Sequence, residues 1–317
     1  MRRARLDVVM AAAVAALAAF ESGAAAQTRM APLPTRVPLE DNFSRFELVM
    51  TLVGAVAGIT TMAFGTQIFG SPRPSVGPPE PGSFDRVWAD RLHLDDGRGH
   101  HFLGQVPDIA GMYVLPFVPA VFYGIDAAAI TRSGAPWWLA DPNQDHRVVA
   151  YAEALGWTMT ATGLAKVLVG RTRPYVVLDH PELAGRAREV DVSFFSGHTA
   201  AMFTAATFIS LDASRRLSAG VLAGAPTWKR VLLGTVVPYT VAFGTASLVG
   251  VSRVIDQQHW PSDVLMGALV GSTIAHLAYL THFDDTGQPR RRLDAGIPVR
   301  MARLIPTLNG AALVGAF

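Results

Sequence analysis

The sequence of residues 241–280 is VAFGTASLVG VSRVIDQQHW PSDVLMGALV GSTIAHLAYL. Two apolar stretches, rich in Ala, Gly, Val and Leu, flank a short polar segment that contains Arg253, His259 and Asp263. Neither stretch alternates polar and apolar residues as a half-buried strand does, so both are predicted to be helices. Helices that are apolar all round lie in a protein core or in a lipid bilayer. This region therefore predicts two apolar helices joined by a loop with charged and titratable side chains.

The same apolar pattern recurs along the chain. Six segments show it, at roughly Leu48–Phe69, Ile109–Ile130, Val148–Gly170, Gly197–Leu211, Val231–Gly250 and Val264–Leu280. Only 16% of the residues are charged, whereas a soluble domain carries about a quarter. The many small residues favour close helix packing, as in membrane bundles. We predict an all-α fold, a six-helix membrane bundle; a soluble bundle with buried helices is the alternative.

The N-terminus has the features of an export signal. Arginines at positions 2, 3 and 5 precede the apolar stretch Val8–Phe20, and Ala24, Ala25 and Ala26 offer a cleavage site. Glu21 interrupts the segment before that site, so an uncleaved membrane anchor is the alternative. The predicted division of the chain is a signal peptide or anchor (1–26), a polar segment (27–47), a helical bundle (48–283) and a tail with possible short strands (284–317).

Three polar clusters lie at the ends of predicted helices. They are Lys166-x6-Arg173-Pro174 after the third segment, Ser196-Gly197-His198 before the fourth, and Ser252-Arg253-x5-His259-x3-Asp263 between the fifth and sixth. Alternate ends of an up-and-down bundle fall on the same side. The order of the segments therefore predicts that all three clusters meet on one face.

The first part of this chemistry is anion binding. Lys166, Arg173 and Arg253 would place three cations together, which is costly unless an anion lies among them. Arginine forks match phosphate oxygens, and lysine adds a point charge. Ser196 and Gly197 open a helix, whose free N–H groups also favour an anion. The clusters therefore predict a phosphate-binding site.

The second part is nucleophilic and acid–base chemistry. Asp263 follows His259 by four residues, so we expect it to orient the imidazole, which can then attack phosphorus. His198 would protonate the leaving oxygen. Arg171 could contact the substrate or be structural, and Asp256 could form a salt link with Arg253. Three neighbouring cations would repel a metal ion, so we expect neither a metal nor another cofactor.

The three clusters, in this order, resemble the signature shared by type 2 phosphatidic acid phosphatases, bacterial class A acid phosphatases and vanadium haloperoxidases. The resemblance implies a nucleophile (His259), a general acid (His198), a carboxylate partner (Asp263) and phosphate-binding groups (Lys166, Arg173, Ser196, Gly197 and Arg253). One departure is Phe195, where the family usually has proline before Ser-Gly-His. Proline supplies no catalytic atom there, so we expect altered loop packing rather than lost activity.

Several functions remain open at this point. The leading expectation is a membrane enzyme that dephosphorylates a lipid: phosphatidate, phosphatidylglycerol phosphate or a polyprenyl diphosphate. A soluble periplasmic acid phosphatase, a vanadium haloperoxidase and a lipid-binding relative with a decayed site are the alternatives. No polybasic run interleaved with aromatics is present, so a nucleic acid is not an expected partner. The chain has no cysteine, which excludes thiol chemistry.

The charge distribution predicts the orientation in a bacterial inner membrane. The segment between the fourth and fifth helices and the tail after the sixth are basic, with Arg215, Arg216, Lys229, Arg230 and Arg290–Arg292. The positive-inside rule assigns both to the cytoplasm, which leaves the three clusters facing the periplasm. Signal cleavage combined with six spans would predict the reverse. We therefore expect either that the signal is retained or that one weak segment does not span.

Overall fold

The computed structural model describes residues 35–70, 72, 75–92, 111, 114–119, 123, 141–178, 190–291, 303–307 and 310–314. The predicted signal peptide, residues 1–26, lies outside these residues, and so does most of the second apolar segment, Ile109–Ile130.

The described part of the chain is a helical bundle followed by a small hairpin. Its helices are α1 (Leu39–Asn42), α2 (Arg45–Phe69), α3 (Phe84–Leu92), α4 (Gln144–Val169), α5 (Pro174–Val177), α6 (Gly197–Ala219), α7 (Thr227–Val231), α8 (Val237–Ile255) and α9 (Pro261–His282). A π-helical turn, Leu232–Val236, joins α7 to α8. Strands β1 (Arg303–Thr307) and β2 (Gly310–Val314) pair antiparallel.

Helix boundaries follow from local capping chemistry. Ser44 caps α2 with a reciprocal pair of bonds: its Oγ accepts from the Glu47 backbone N–H (3.0 Å), and the Glu47 carboxylate accepts from the Ser44 N–H (2.6 Å). Ser196 caps α6, which begins at Gly197, where the sequence predicts the start of a helix. Helix α4 ends at Gly170, which takes the left-handed conformation (φ 54°) that glycine adopts without strain.

Helices α4 and α6 lie at the centre of the bundle. Helix α2 packs on α4, α8 packs on α6, and α9 packs on both α4 and α6. Small residues allow the backbones to approach closely: a Cβ on Gly271 of α9 would lie only 2.1 Å from the Ala200 carbonyl oxygen of α6. A Cβ on Gly156 of α4 would lie 2.7 Å from the Ala55 nitrogen of α2. The predicted use of small residues for close packing is therefore observed at both contacts.

Among the residues that the structure describes, three helical stretches are long and apolar enough to cross a membrane: Arg45–Phe69, Thr227–Ile255 and Pro261–His282. Their outward side chains are apolar and open, with Ile59 67%, Leu248 71% and Leu269 60% exposed. Apolar surface of this extent is not typical of a soluble monomer. These helices indicate a membrane protein.

Five of the six predicted apolar segments coincide with helices α2, α4, α6, α8 and α9. Helices α4 and α6 are less apolar than the three candidate spans because they carry buried charged residues, among them Arg147 and Asp212. These two charges lie at the end of the bundle where α4 begins and α6 finishes. We call Asp141, Arg147, Asp212, Arg216 and Tyr279 the distal cluster.

Candidate active site

The first sequence cluster lies at and beyond the end of α4. Lys166 is partly buried in the last turn of that helix. Arg173 is buried and precedes α5; its Nη1 donates to the side-chain oxygen (2.7 Å) and the backbone carbonyl (3.3 Å) of Gln258. Because Gln258 directly precedes His259, this contact links the first cluster to the third.

The second cluster forms the start of α6. The Oγ of Ser196 accepts from the Thr199 backbone N–H (3.4 Å), and the Ser196 N–H donates to the Asp263 carbonyl oxygen (3.1 Å). Gly197 is buried where a Cβ would lie 3.1 Å from the Met62 side chain. His198 follows in the first helical turn and is partly buried. The helix start is thereby tied to the third cluster.

The third cluster spans the end of α8 and the start of α9. Arg253 is 2% exposed, and its Nη2 lies 2.6 Å from Asp256 Oδ2. This is the salt link between Arg253 and Asp256 that the sequence suggests. The His259 backbone N–H donates to the Arg253 carbonyl oxygen (3.2 Å). Pro261 begins α9, and Trp260 donates its indole N–H to the Thr172 carbonyl oxygen (2.8 Å). The loop that carries His259 is therefore held from both sides.

His259 is itself buried, with only 2% of its surface exposed, and its Nδ1 lies 2.7 Å from the Ser193 carbonyl oxygen. A carbonyl oxygen can only accept a hydrogen bond, so Nδ1 carries the proton and the lone pair of the neutral ring is on Nε2. Burial lowers the pKa of His259 well below its usual value, and so do the nearby groups Arg173, Lys166, His198 and Arg253. The imidazole is therefore neutral at physiological pH.

The expected direct contact between Asp263 and His259 is not what the structure shows. Asp263 is fully buried, and its Oδ1 lies 2.5 Å from Arg171 Nη1. Its Oδ2 accepts from the Ser193 hydroxyl (2.6 Å) and from the Trp260 backbone N–H (3.1 Å). The four-residue spacing puts two side chains together only inside a helix, and His259 precedes α9. Asp263 reaches His259 through Ser193 instead.

The structure thus brings the predicted residues together through hydrogen bonds or through electrostatic interactions with His259. Lys166, Arg173, His198 and Arg253 all act electrostatically on His259, while Ser196 and Asp263 are joined by a backbone bond. Sequence reasoning missed Ser193, which matters through its backbone carbonyl and one hydroxyl, and no motif marks it. It also left Arg171 unassigned; both of its terminal nitrogens are bonded to carboxylates.

Over residues 147–286 the chain matches the family described as PAP2 superfamily. Phospholipid phosphatase 2 of Mus musculus is 30% identical over 172 residues, 48% of this chain and 59% of the relative. Lipid phosphate phosphatase 1 of Arabidopsis thaliana is 33% identical over 150 residues, 42% of this chain and 44% of the relative.

The match to a bacterial relative covers a shorter part of the chain. Lipid A 1-phosphatase of Porphyromonas gingivalis is 38% identical over 87 residues, which cover 27% of this chain and 16% of the relative. The chain spans about half the length of the phospholipid phosphatases that it matches. No solved structure matches the chain at a significant level.

Proposed function

We propose that this protein is a membrane phosphatase that hydrolyses a lipid phosphate monoester or diphosphate through a phosphohistidine intermediate on His259. The observation that carries the proposal is the orientation and the neutral protonation state of the His259 side chain. The Ser193 carbonyl fixes the proton on Nδ1, and burial together with neighbouring cations keeps the ring neutral. An oriented neutral imidazole among cations is suited to attack a phosphate group.

In the first step, His259 Nε2 attacks phosphorus. An N–P bond forms while the bond from phosphorus to the leaving oxygen breaks, and His198 gives its proton to that oxygen. Lys166, Arg173 and Arg253 stabilise the charge on the three remaining phosphate oxygens. The lipid leaves as an alcohol, or as a monophosphate when the substrate is a diphosphate.

In the second step, water attacks the phosphohistidine. His198, now neutral, accepts a proton from that water as the new P–O bond forms. The N–P bond breaks, its electron pair returns to Nε2, and inorganic phosphate is released. Ser196 and Gly197 support phosphate binding at the start of α6, where backbone N–H groups and the helix dipole favour an anion.

A lipid substrate is supported by the surface of the bundle and by the relatives. Three helical stretches in the described part of the chain are suited to a bilayer, and relatives carry the names phospholipid phosphatase and lipid A 1-phosphatase. We propose that the bundle has the six helices that the apolar segments of the sequence predict. The runner-up, a soluble acid phosphatase, fits the exposed apolar side chains poorly. Retention in the membrane fraction after a carbonate wash separates the two.

Activity is tested with purified protein in detergent and a substrate panel. Phosphatidate, phosphatidylglycerol phosphate, a polyprenyl diphosphate and soluble phosphate esters are offered, and released phosphate is measured. We expect turnover of at least one lipid at a higher kcat/KM than any soluble ester. Turnover of soluble esters alone would favour the acid phosphatase; bromide oxidation with added vanadate, without phosphate release, would favour the haloperoxidase.

We further propose that the site faces the periplasm across a bacterial inner membrane. The support is the basic distal end, where Arg215 donates to the Asp284 carbonyl oxygen at the end of α9. Asp90 in α3 and Asp285 are exposed at opposite ends of the bundle, with side chains 53% and 93% open. Since the chain has no cysteine, Asp90→Cys should react with an impermeant maleimide in spheroplasts and Asp285→Cys should not. The reverse labelling would overturn this orientation.

A further inference from the structure

Helix α3, Phe84–Leu92, lies in sequence well before the part of the chain that matches the superfamily, residues 147–286. It nevertheless contacts both α8 and α9, the helices that flank the loop carrying His259. Its hydrogen bonds to this region include those of the Asp85 side chain and of the Ala89 backbone carbonyl.

Asp85 is bonded to three donors at the start of α9 and beside it. Its Oδ1 accepts from the Ser262 backbone N–H (2.8 Å), and its Oδ2 accepts from the Ser262 hydroxyl (2.7 Å) and lies 2.6 Å from Arg171 Nη2. Its side chain is 12% exposed. A carboxylate at the first turn of a helix is favoured by the helix dipole as well as by these bonds.

Arg171 continues the contact toward the nucleophile. Its Nη2 faces Asp85, while its Nη1 lies 2.5 Å from Asp263 Oδ1 and 2.8 Å from the Ser262 hydroxyl. Asp263 then accepts from the Ser193 hydroxyl, and the Ser193 carbonyl accepts from His259. A chain of bonded groups therefore runs from Asp85 through Arg171, Asp263 and Ser193 to the imidazole.

The Ala89 carbonyl provides a second, independent contact. It accepts from the side-chain amide of Gln257 (2.9 Å), two residues before His259. Gln257 is fully buried and has φ 55°, a left-handed conformation that is unfavourable for a residue other than glycine. Such a conformation persists only where its surroundings hold it. Tyr175 supplies a further bond, from its N–H to the Gln257 carbonyl oxygen (3.1 Å).

We infer that α3 positions the His259 loop, and that Asp85 and Arg171 are positioning residues that act through Ser262, Asp263 and Ser193. Arg171 is thereby assigned to the support of the nucleophile and not to the substrate. The inference rests on the proposed phosphatase function. The expected effect on the rate comes from the position of the imidazole, because a displacement of about 1 Å at a reacting group can cost on the order of 100-fold in rate.

The test compares Asp85→Asn with Asp90→Asn on the same helix. Asp90 is an exposed residue whose nearest cation is Arg86 at 3.5 Å, so it is a matched control. We expect Asp85→Asn to lower kcat by roughly 10- to 100-fold while KM stays within about twofold, because the phosphate-binding groups are untouched. Asp90→Asn should keep the wild-type kcat. Rates are expressed per folded molecule, from a thermal unfolding curve in detergent.

Two further variants keep the inference testable if Asp85→Asn folds poorly. Arg171→Lys keeps the charge but cannot bridge two carboxylates, so it should lower kcat to a similar extent. Ser262→Ala removes one bond to Asp85, and its effect should not add fully to that of Asp85→Asn, because both act on one path. The inference is overturned if the folded variants keep the kcat of Asp90→Asn, or if the loss lies in KM. Absence of turnover by the wild type would instead refute the proposed function.

Discussion

The two ends of the bundle both bury arginines, but they surround them differently. In the distal cluster, Arg147 is fully buried between two carboxylates, with Nη1 2.9 Å from Asp141 and Nε 2.9 Å from Asp212. Arg216 lies 3.6 Å and 3.3 Å from the same two aspartates. Tyr279 adds a hydroxyl bond to Asp212. The positive charges of two arginines are thus compensated by the negative charges of two aspartates where α4, α6 and α9 meet.

At the end with the candidate site, cations gather around a neutral ring. Arg173 donates to two oxygens of Gln258, which carry no charge. Arg173, Lys166 and Arg253 all lower the pKa of His259. The comparison teaches that a buried arginine is not by itself a functional signal. The arginines of the distal cluster join helices through carboxylates. At the site, Arg253 is also paired with Asp256, but together with Lys166 and Arg173 it lies around an imidazole, and this arrangement suits an anionic substrate.

The largest expected difference concerns two buried histidines, one at each end. His259→Ala should lower turnover on the order of 10⁴-fold or more, because a covalent nucleophile is lost. His282 is bonded to Glu153 (2.8 Å) and Asn42 (3.0 Å) in the interior. His282→Ala should lower the free energy of unfolding by about 3 kcal/mol and keep kcat per folded molecule. Turnover and thermal unfolding in detergent check both; activity retained by folded His259→Ala would contradict the comparison.

The next prediction replaces one arginine at each end with methionine. Arg147→Met leaves Asp141 and Asp212 buried without their main cation, which should cost about 3–5 kcal/mol of unfolding free energy. Arg253→Met also leaves Asp256 without its paired cation, so it should cost stability too. Unlike Arg147→Met, it should in addition lower kcat/KM per folded molecule by about 10²- to 10³-fold, since it removes charge stabilisation of the reacting phosphate. Paired measurements of unfolding and kinetics test this. Equal kcat/KM of the two folded variants would remove the distinction.

A smaller effect is expected from acidification. The pKa of His259 is lower in the folded protein than in the unfolded chain, where it is about 6.5. The neutral ring therefore contributes its full stability above pH 6.5, and this contribution is lost as the pH falls below 6.5 toward the lowered folded-state pKa. The thermal midpoint of the wild type should fall more steeply between pH 7.5 and pH 5 than that of His259→Gln. If the thermal midpoints of the wild type and of His259→Gln changed equally with pH, the His259 ring would not be buried in its neutral form.

The smallest expected effect is that of a chelator. Positive charge at the site is supplied by Lys166, Arg173 and Arg253, so activity should be unchanged in excess EDTA. Vanadate should inhibit, because its five-coordinate form mimics the transferring phosphate. Phosphate release is measured with and without each compound. Loss of activity in EDTA that a divalent ion restores would show that the cation cluster is not sufficient.

The sequence predicted the helices better than the contacts between side chains. Apolar segments and caps such as Ser196 are local signals, so α2, α4, α6, α8 and α9 were expected from the sequence. The motif order predicts that the three clusters meet, because alternating helices bring alternate ends together.

The partner of Asp263 was predicted wrongly, for a physical reason. Pro261 starts α9 after His259, so the nucleophile lies outside the helix on which the four-residue spacing depends. Asp263 caps the Trp260 N–H at the start of α9 and turns toward Arg171 and Ser193. The bond from Asp85 to Ser262 joins residues 177 positions apart, and no local pattern indicates such a contact.

The most direct test of the central claim is to trap the covalent intermediate. Wild-type protein is mixed with a ³²P-labelled lipid phosphate, quenched within milliseconds, digested and analysed for labelled peptides. We expect an acid-labile, base-stable phosphate on the peptide that contains His259, formed and lost at rates compatible with turnover, and none in His259→Ala. Turnover without a labelled histidine, or a label on another residue that accumulates at the rate of turnover, would contradict His259 as the nucleophile.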